Sequence, residues 1–393
     1  MTIEDKPVNI MATNQTTGIS VNLSTGEVNA GTVQFRNRII NGDMRIDQRN
    51  CGTSITVGVG QTNTNSTYII DRWQLGLTPT TAGYFTASKV DDAPTNTSYQ
   101  SSLKITSTSA VTTTSFTILQ AIEGYHIQDF QWGTTKGKPI TVSFWVKCSI
   151  AGNYTLHILS SGPHYSYNTL YTVISPNTWE FKIVTIPPPP SVGTTYFKTD
   201  NSFGIYLQYR FAGNATSTLG WQSGVAQSLS SATTWHTTTG ASWQVTGVQV
   251  EIGLLATPFE FRSFITESLL CQRYYSKSYE YGVKPGTLGT TNSEAYKGPL
   301  LSQVLGGSDI KWDIRFKVTM RGMPTLRAWG PRNGVLGGAD RGYADNSFSA
   351  TMYTTHLSNF VMIGSEGAGL YGIASSTAQA YLYLHYEADA DTL

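Results

Sequence analysis

The sequence predicts an all-β protein: a jelly-roll β-sandwich domain followed by a smaller β tip domain, with one short linking helix. Short runs that alternate apolar and polar residues recur from residue 37 to 265. Turn residues separate these runs, and a convincing helical pattern appears once, after residue 265. Since no helix interrupts the strands, a βαβ parallel sheet is excluded.

Composition limits both the size and the partners of the protein. Its 393 residues suggest two or three domains. Charged residues make up 13% of the chain, about half of the usual ~25%. The 26 Lys and Arg residues balance 25 Asp and Glu residues, for a net charge of +1. That balance argues against a nucleic-acid partner, and an uncharged polar surface is common in proteins that bind neutral sugars or pack into large assemblies.

Cysteines and apolar runs indicate where the protein works. Cys51, Cys148 and Cys271 are odd in number and widely spaced, so we expect small buried hydrophobic residues rather than disulfides or a zinc site. The first residues lack the basic and apolar regions of a signal peptide, and no apolar run reaches 18 residues. We therefore expect no membrane insertion and synthesis in the cytoplasm; assembly into a particle that lysis releases is one of the few ways for such a protein to reach the outside.

Residues 1–36 are predicted to form an N-terminal attachment arm. They are polar and rich in Thr, Asn and Gly, with one or two short strands expected around the turn at Ser24–Gly26. Too little apolar surface is present for this segment to fold alone, so it should be ordered only against a neighbour. A disordered N-terminus is the alternative.

Residues 37–265 are predicted to form the sandwich. Along Ile140–Lys147, Val142, Phe144 and Val146 share one face of a strand. Pro187–Pro190 should end a strand at a sheet edge or in a loop, because proline cannot donate a ladder hydrogen bond. The strand-like runs are Tyr68–Leu75, Ser102–Thr106, Phe116–Gln120, Ile140–Lys147, Tyr154–Ile158, Trp179–Ile186, Phe203–Tyr209 and Trp243–Glu251.

The linking helix is predicted over residues 266–278, with Thr266 as its cap and Glu267 at its positive end. We expect it to pack at a domain junction or around an oligomer axis. The C-terminal tip domain is predicted over residues 279–393, with long Gly-rich loops between its strands. Its expected strands are Ile310–Val318, Ser347–Tyr353, Phe360–Ile363 and Ala380–Ala388.

Four stretches, in order, resemble a group of phage and prophage tail-fibre proteins: Asn37–Asn50, Trp243–Arg262, Leu270–Tyr279 and Phe316–Thr325. Locally, Asn41–Gly42 is expected to be a tight turn that launches the first core strand. The resemblance implies a jelly roll similar to a carbohydrate-binding module, then a host-facing tip, on a homotrimeric fibre. It also implies a virion location, with residues 1–36 binding other tail or baseplate proteins.

Glycan recognition needs aromatic faces for stacking and planar polar groups for paired hydroxyl hydrogen bonds. Two loop regions supply both, although filling loops or subunit contacts is the alternative role for each tryptophan. The candidate glycan-binding residues are Trp329, Arg332, Asn333, Asp340, Arg341, Tyr343, Trp221 and Trp235.

Metal and catalytic signals are weaker. Asp43 and Glu251 fall at the first and last strands of the sandwich and are candidates for a structural Ca²⁺ site, with ordinary surface carboxylates as the alternative.

The chain carries no nucleophile elbow, P-loop or dinucleotide-binding glycine pattern. We therefore expect a non-catalytic subunit that attaches the virion to a host cell-surface glycan. The alternatives are a polysaccharide depolymerase tail spike and a purely structural capsid or tail fibre component.

Overall fold

Antiparallel β-sheets account for most of the molecule, which confirms the all-β prediction. The computed structural model describes residues 19–21, 28–30, 35–58, 67–78, 84–111, 113, 115–162, 164–213, 215–216, 218–224, 228–287, 300–304, 309–329, 336, 340–342, 359–373 and 380–391. Near the N-terminus, strands β1 (Ile19–Val21) and β2 (Val28–Ala30) pair antiparallel. This pairing confirms the expectation of one or two short strands around Ser24–Gly26, which itself lies outside the described residues.

Two sheets packed face to face form the sandwich. The strands of this region are, in chain order, β3 (Ile55–Gly58), β4 (Thr67–Ile70), β5 (Trp73–Leu77), β6 (Tyr84–Val90), β7 (Ser102–Ser107), β8 (Phe116–Glu123), β9 (Ile140–Cys148), β10 (Gly152–Ser160), β11 (Tyr165–Val173), β12 (Glu180–Ile186), β13 (Phe203–Ala212), β14 (Ala215–Thr216), β15 (Gly220–Ser223), β16 (Ser228–Leu229) and β17 (Ser242–Ile252). Short 3-10 turns occur at Gly124–His126, Gln128–Phe130, Thr194–Tyr196 and Trp235–Thr237.

The two sheets have different sizes. The seven-stranded sheet runs β15-β11-β10-β13-β8-β5-β4, and the six-stranded sheet runs β12-β9-β17-β7-β6-β3. The short strands β14 and β16 pair parallel to each other, apart from both sheets. Strand β12 lies at an edge and ends at Ile186, directly before Pro187–Pro190, as the proline run predicts.

The core lies between the sheets. On β9, Val142, Phe144 and Val146 are completely buried, which confirms the face predicted from their alternation. The Tyr209 ring lies 5.2 Å from that of Phe144 and 5.0 Å from that of Trp243. These contacts join strands of both sheets, and burial of such large side chains is the main stabilising term of the fold.

All three cysteines are free thiols. Cys148 and Cys271 are buried, and Cys51 is half-buried. Two of the three therefore behave as the small buried hydrophobic residues that their spacing predicts.

The segment around Asn41 is buried but irregular, so the prediction that its turn launches a core strand was wrong. Asn41 adopts φ 58°, and its amide side chain pairs with both the N–H and the C=O of Ile46, at 2.9 and 2.8 Å. A Cβ on Gly42 would lie 2.2 Å from the carbonyl oxygen of Val248, so the backbone packs where only glycine fits. Side-chain hydrogen bonds replace the ladder here.

The run Tyr68–Leu75, predicted as one strand, is instead the tight hairpin of β4 and β5. Its turn contains Asp71 and Arg72, and Arg72 has φ 69°. Both turn residues are buried. Alternation alone did not show the turn because apolar residues flank it on both sides.

The linking helix is shorter than predicted. Helix α1 (Phe264–Gln272) is capped by Ser263, whose Oγ accepts the Thr266 N–H at 3.1 Å, so Thr266 is not the cap. Residues Tyr275–Lys277 form strand β18 rather than a last helical turn. Glu267, in the first turn as expected, accepts the backbone N–H of Asn41 and so fixes the helix to the sandwich.

The region after α1 is organised around one long strand, β25. The remaining strands are β19 (Leu300–Val304), β20 (Asp309–Arg315), β21 (Thr325–Trp329), β22 (Asp340–Gly342), β23 (Asn359–Ile363), β24 (Gly367–Ile373) and β25 (Ala380–Asp389). Strand β25 pairs with β18, β19, β21 and β22, and β20-β24-β23 form a separate sheet. Phe360–Ile363 and Ala380–Ala388 are confirmed to within one residue at each end, and Ile310–Val318 is confirmed as a strand that ends three residues earlier, at Arg315. Ser347–Tyr353 lies outside the described residues.

Buried ion pairs join this C-terminal region to the sandwich. Arg72 pairs with Asp391, both almost fully buried, and the Arg72 guanidinium lies 3.5 Å from the ring centroid of Tyr274. Arg49 pairs with Asp389 at 2.5 Å. No helix in the described ranges combines the length and apolar character that a membrane crossing needs.

Candidate functional site

One row of side chains crosses the outer face of the seven-stranded sheet. The strand registers place Asn168 beside His157, His157 beside Gln208, Gln208 beside Leu119, and Leu119 beside Gln74. Each neighbour lies on the next strand, and strands are about 4.8 Å apart, so the row is about 19 Å long. We call Asn168, His157, Gln208 and Gln74 the polar row.

These side chains point away from the core because their strand neighbours point into it. Leu156 and Ile158 flank His157, and Leu207 and Tyr209 flank Gln208, and all four belong to the buried core. The outer positions are nevertheless nearly as buried as the inner ones: Gln208 is 5% exposed and Gln74 is 1% exposed. The polar row therefore lies on a covered outer face rather than on open surface.

Two amides of the polar row lack hydrogen-bond partners. Both polar atoms of Gln74 and both of Asn168 are buried without a partner among the residues that the structure describes. Within the same residues, no other Asn or Gln has both atoms in that state. A buried polar group without a partner costs about 1–3 kcal/mol, so an ordered water or a ligand that forms hydrogen bonds with these two amides would stabilise the protein.

Gln208 organises the centre of the polar row. Its Oε1 accepts a hydrogen bond from His157 Nδ1 at 2.9 Å, and a second from Arg210 Nη1 at 2.8 Å. Because an amide oxygen only accepts, His157 carries its proton on Nδ1 in this arrangement. Arg210 occupies the neighbouring row, beside Thr155 and Thr117.

Arg210 is a buried cation on this face. It is 6% exposed, and burial lowers the pKa of its guanidinium to about 10. No ion pair joins it to a carboxylate in the described part of the chain, and its buried Nε has no acceptor there.

Two elements cover the ends of the outer face. At one end, Leu229 of β16 donates its backbone N–H to Thr155 Oγ1 at 3.2 Å. At the other end, Tyr274 and Cys271 pack against Ala121 and Phe203. The polar row lies between these two covers.

The sequence-predicted tryptophans are packing residues. Trp235 is completely buried, 5.4 Å from the Phe211 ring centroid, so its prediction as a glycan-stacking residue was wrong. Trp221 is partly buried on the core side of β15, against Trp132, and donates its Nε1–H to the carbonyl of Pro187 at 2.8 Å. Neither offers a free ring face.

Trp329 ends β21, is 9% exposed, and contacts Tyr279 with ring centroids 6.3 Å apart. Its ring is therefore also used in packing. Asp340 and Arg341 belong to β22, which pairs with β25. Arg332, Asn333 and Tyr343 lie outside the described residues, so their role in glycan binding stays a prediction.

The candidate Ca²⁺ ligands are occupied by protein partners. Asp43 pairs with Arg45 at 2.8 Å, and burial raises its pKa to about 6. Glu251 accepts the backbone N–H of Thr257 at 2.8 Å and pairs with Arg36 at 3.7 Å. The two carboxylates share no partner, and the described residues contain no cluster of three or more His, Cys, Asp or Glu side chains suited to a metal ion. This geometry gives the Ca²⁺ prediction no support.

A cavity of about 420 Å³ opens elsewhere on the sandwich, lined by Trp132, Phe197, Gln128, Gln131 and Lys136. Its size suits a small ligand. Its two aromatic rings are 3% and 2% exposed, and Trp132 Nε1 already donates to the Lys138 carbonyl at 2.8 Å. The cavity thus lacks the unpartnered groups that distinguish the polar row.

Sequence reasoning missed the polar row. Gln74, His157 and Gln208 stand in three of the predicted strand runs, where alternation indicates only that they point outward, whereas Asn168 lies in β11, a strand that was not predicted. What makes them a site is the register between strands, which aligns residues such as His157 and Gln208, 51 positions apart. A signal was present in the polar residues at the outward positions of the central strands.

No protein-family model matches the chain, and no curated protein matches its sequence. The enzymatically active domain of tailspike protein 4 from bacteriophage CBA120 is similar, with a TM-score of 0.30 and 14% identity over 55% of this chain. The match covers 21% of that chain.

Carbohydrate-binding modules also match. The xylan-binding CBM22-1 domain of Paenibacillus barcinonensis Xyn10C is similar over 52% of this chain and 97% of its own, with a TM-score of 0.25 and 11% identity. TmCBM61, solved with β-1,4-galactotriose, matches over 56% and 99%, with a TM-score of 0.22 and 9% identity. At these TM-scores the likenesses carry no functional argument.

Proposed function

We propose that this protein is a non-catalytic, glycan-binding subunit of a phage tail fibre that attaches the virion to a host cell-surface glycan. The polar row is its binding site, and because the four side chains of the row are at most 5% exposed, the segment that covers this face has to move away for the glycan to reach them. The observation that carries this proposal is the pair of buried amides, Gln74 and Asn168, that have no hydrogen-bond partner in the described structure yet align in one row.

The chemistry of the row suits saccharide hydroxyls. A planar amide offers both donors and an acceptor, so it forms paired hydrogen bonds with neighbouring hydroxyl groups. A ligand that satisfies Gln74 and Asn168 would relieve two unfavourable groups at once. Leu119, between Gln208 and Gln74, and the partly buried Tyr206 add apolar contact area for the carbon faces of sugar rings.

The shape of the row favours a chain-like ligand. Its polar groups span five neighbouring strands along a nearly straight line, about 19 Å by strand spacing. A single monosaccharide would leave one end unsatisfied. An oligosaccharide laid across the strands would reach both.

The role in attachment comes from the sequence resemblance to tail-fibre proteins over residues 37–325. In that role residues 1–36, which include the β1-β2 hairpin, bind other virion proteins, and the chain assembles as a homotrimer. Three equivalent sites on one fibre raise the apparent affinity through effective concentration, without new contacts.

Binding is favoured over cleavage by the side chains present at the row. Hydrolysis of a glycosidic bond uses two carboxyl groups about 5–10 Å apart. The described side chains of the row and its neighbours Arg210, Thr155 and Thr117 are amides, an imidazole, a guanidinium and hydroxyls.

The test is binding of the purified full chain to an array of bacterial surface polysaccharides and oligosaccharides. Binding to a subset of glycans, lost in Asn168→Ala and kept in Gln244→Ala, is the expected result. Gln244 is a matched control because it is a buried outer-face residue of the other sheet. Absence of glycan binding would overturn the proposal, and new reducing ends in the same incubation would favour a depolymerase.

A further inference from the structure

We infer that the glycan is acidic and that one of its anionic groups sits on Arg210. This inference rests on the proposed glycan-binding function of the polar row and deepens it. It also departs from the expectation of neutral sugars that composition suggests.

The first observation is the position of Arg210. It lies on β13 two residues from Gln208, so both side chains emerge from the same face of the sheet. Its Nη1 donates to Gln208 Oε1, and its buried Nε has no acceptor among the described residues, a feature that it shares with Arg49, Arg72 and Arg262. The guanidinium therefore keeps donor capacity at the edge of the polar row.

The second observation is a comparison with the other buried arginines. Arg72, 2% exposed at its side chain, pairs with Asp391, and Arg49, at 10%, pairs with Asp389. Arg262, at 6%, pairs with two glutamates. Arg210, equally buried, forms no ion pair within the described residues.

An isolated buried cation is strongly unfavourable unless an anion or several hydrogen bonds compensate it. Burial lowers the pKa of the Arg210 guanidinium because desolvation disfavours its charged form. The neighbours Thr155, Thr117 and Gln208 provide only neutral dipoles, and all three are already engaged. Thr155 Oγ1 accepts the Leu229 N–H, Thr117 Oγ1 donates to the Tyr209 carbonyl, and Gln208 Oε1 accepts two donors. The missing component is a negative charge.

A planar guanidinium matches a carboxylate, sulfate or phosphate group through two parallel hydrogen bonds. A neutral hydroxyl would use the donors but would leave the charge uncompensated. The chemistry that fits Arg210 is thus an anionic substituent on a sugar unit, next to hydroxyls that the polar row binds.

The experiment compares matched glycans on one array. It contains uronic-acid polymers beside their methyl esters, and sulfated and phosphorylated oligosaccharides beside their unmodified forms. The full chain is tested as wild type, Arg210→Gln and Arg210→Lys. Arg327→Gln is the control because Arg327 is 60% exposed at its side chain and already pairs with Glu387 at 3.0 Å.

We expect wild type to prefer one acidic class over its neutral counterpart by ~10- to 100-fold, the range of a hydrogen bond to a charged group. Arg210→Gln should abolish this preference, Arg210→Lys should retain part of it, and Arg327→Gln should leave it unchanged. The class that binds distinguishes carboxylate, sulfate and phosphate. The melting temperature of Arg210→Gln should not fall, since the change removes a lone buried charge. If it does fall, Arg210→Lys decides because it keeps the charge, and loss of the whole preference in folded Arg210→Lys overturns the inference.

Equal binding of ester and acid, or a preference that survives Arg210→Gln in folded protein, overturns the inference. If Asn168→Ala still abolishes that binding, the proposed glycan-binding function is kept and only the inference of an acidic glycan is overturned. No binding to any glycan overturns both.

Discussion

The two outer faces of the sandwich share one core but differ in how they treat polar groups. On the six-stranded sheet, Lys147 forms an ion pair with Asp92, and Asp92 also accepts the Trp179 Nε1–H at 3.2 Å. Apolar side chains there face solvent: Phe181 is 42% exposed and Ile183 is 55% exposed. That face is open and internally satisfied.

The outer face of the seven-stranded sheet shows the reverse combination. Its polar side chains are buried, yet Gln74, Asn168 and the Nε of Arg210 lack partners in the described structure. Folding alone would favour apolar residues at such positions. The difference teaches that a polar side chain can be buried without having a hydrogen-bond partner. A sheet face that carries several buried polar side chains without partners is therefore the place to look for a ligand.

The largest expected effect concerns Gln208. Gln208→Ala removes the acceptor shared by His157 and Arg210, so it should lower the free energy of unfolding by about 2–3 kcal/mol, because one of those bonds serves a charged donor. Gln244→Ala, on the opposite face, removes hydrogen bonds to Ser102 and to the Asp92 carboxylate, and it should cost only about 1 kcal/mol because water can replace the amide at the 41% exposed Asp92 side chain. Urea denaturation of both variants measures the contrast. Equal losses of unfolding free energy would mean that the hydrogen bonds of Gln208 stabilise the protein no more than those of Gln244.

The fold was predictable where the signal is local. Alternation placed Val142, Phe144 and Val146 on one buried face, and the proline run placed the end of β12, because each depends on neighbouring residues in one strand. The helix boundary was less accurate, since Tyr275 pairs with Asp389, more than 100 residues away.

The candidate site was not predictable from the sequence because it depends on contacts between residues that are far apart in the chain. Trp235 stands in a Ser/Thr-rich stretch that suggests surface, but its 3-10 turn places the ring against Phe85 and Phe116. Conversely, Asn168 and Gln74 look like solvated strand positions, and only the register across five strands brings them into one row. Long-range pairing decides both outcomes.

The second prediction uses two buried glutamines of the seven-stranded sheet. Gln120 is satisfied: it accepts the Ile40 N–H at 2.9 Å and donates to the Ile40 carbonyl at 2.8 Å. Gln74 is equally buried and has neither bond. Gln120→Met should destabilise the protein by about 2 kcal/mol, whereas Gln74→Met should stabilise it by about 1 kcal/mol and weaken glycan binding. Thermal and urea unfolding would contradict the comparison if both changes had the same sign.

The smallest expected effect lies on the six-stranded face. Phe181→Ser combined with Ile183→Ser replaces side chains that are already largely exposed, so the free energy of unfolding of the subunit should change by less than about 0.5 kcal/mol. Glycan binding should not change, because the polar row is on the other sheet. Sedimentation velocity of the same variant tests whether these side chains contact another subunit in the predicted homotrimer, which would appear as a shift toward monomer. Loss of glycan binding in a folded, unshifted variant would instead place recognition on this open face and remove the reason for assigning it to the polar row.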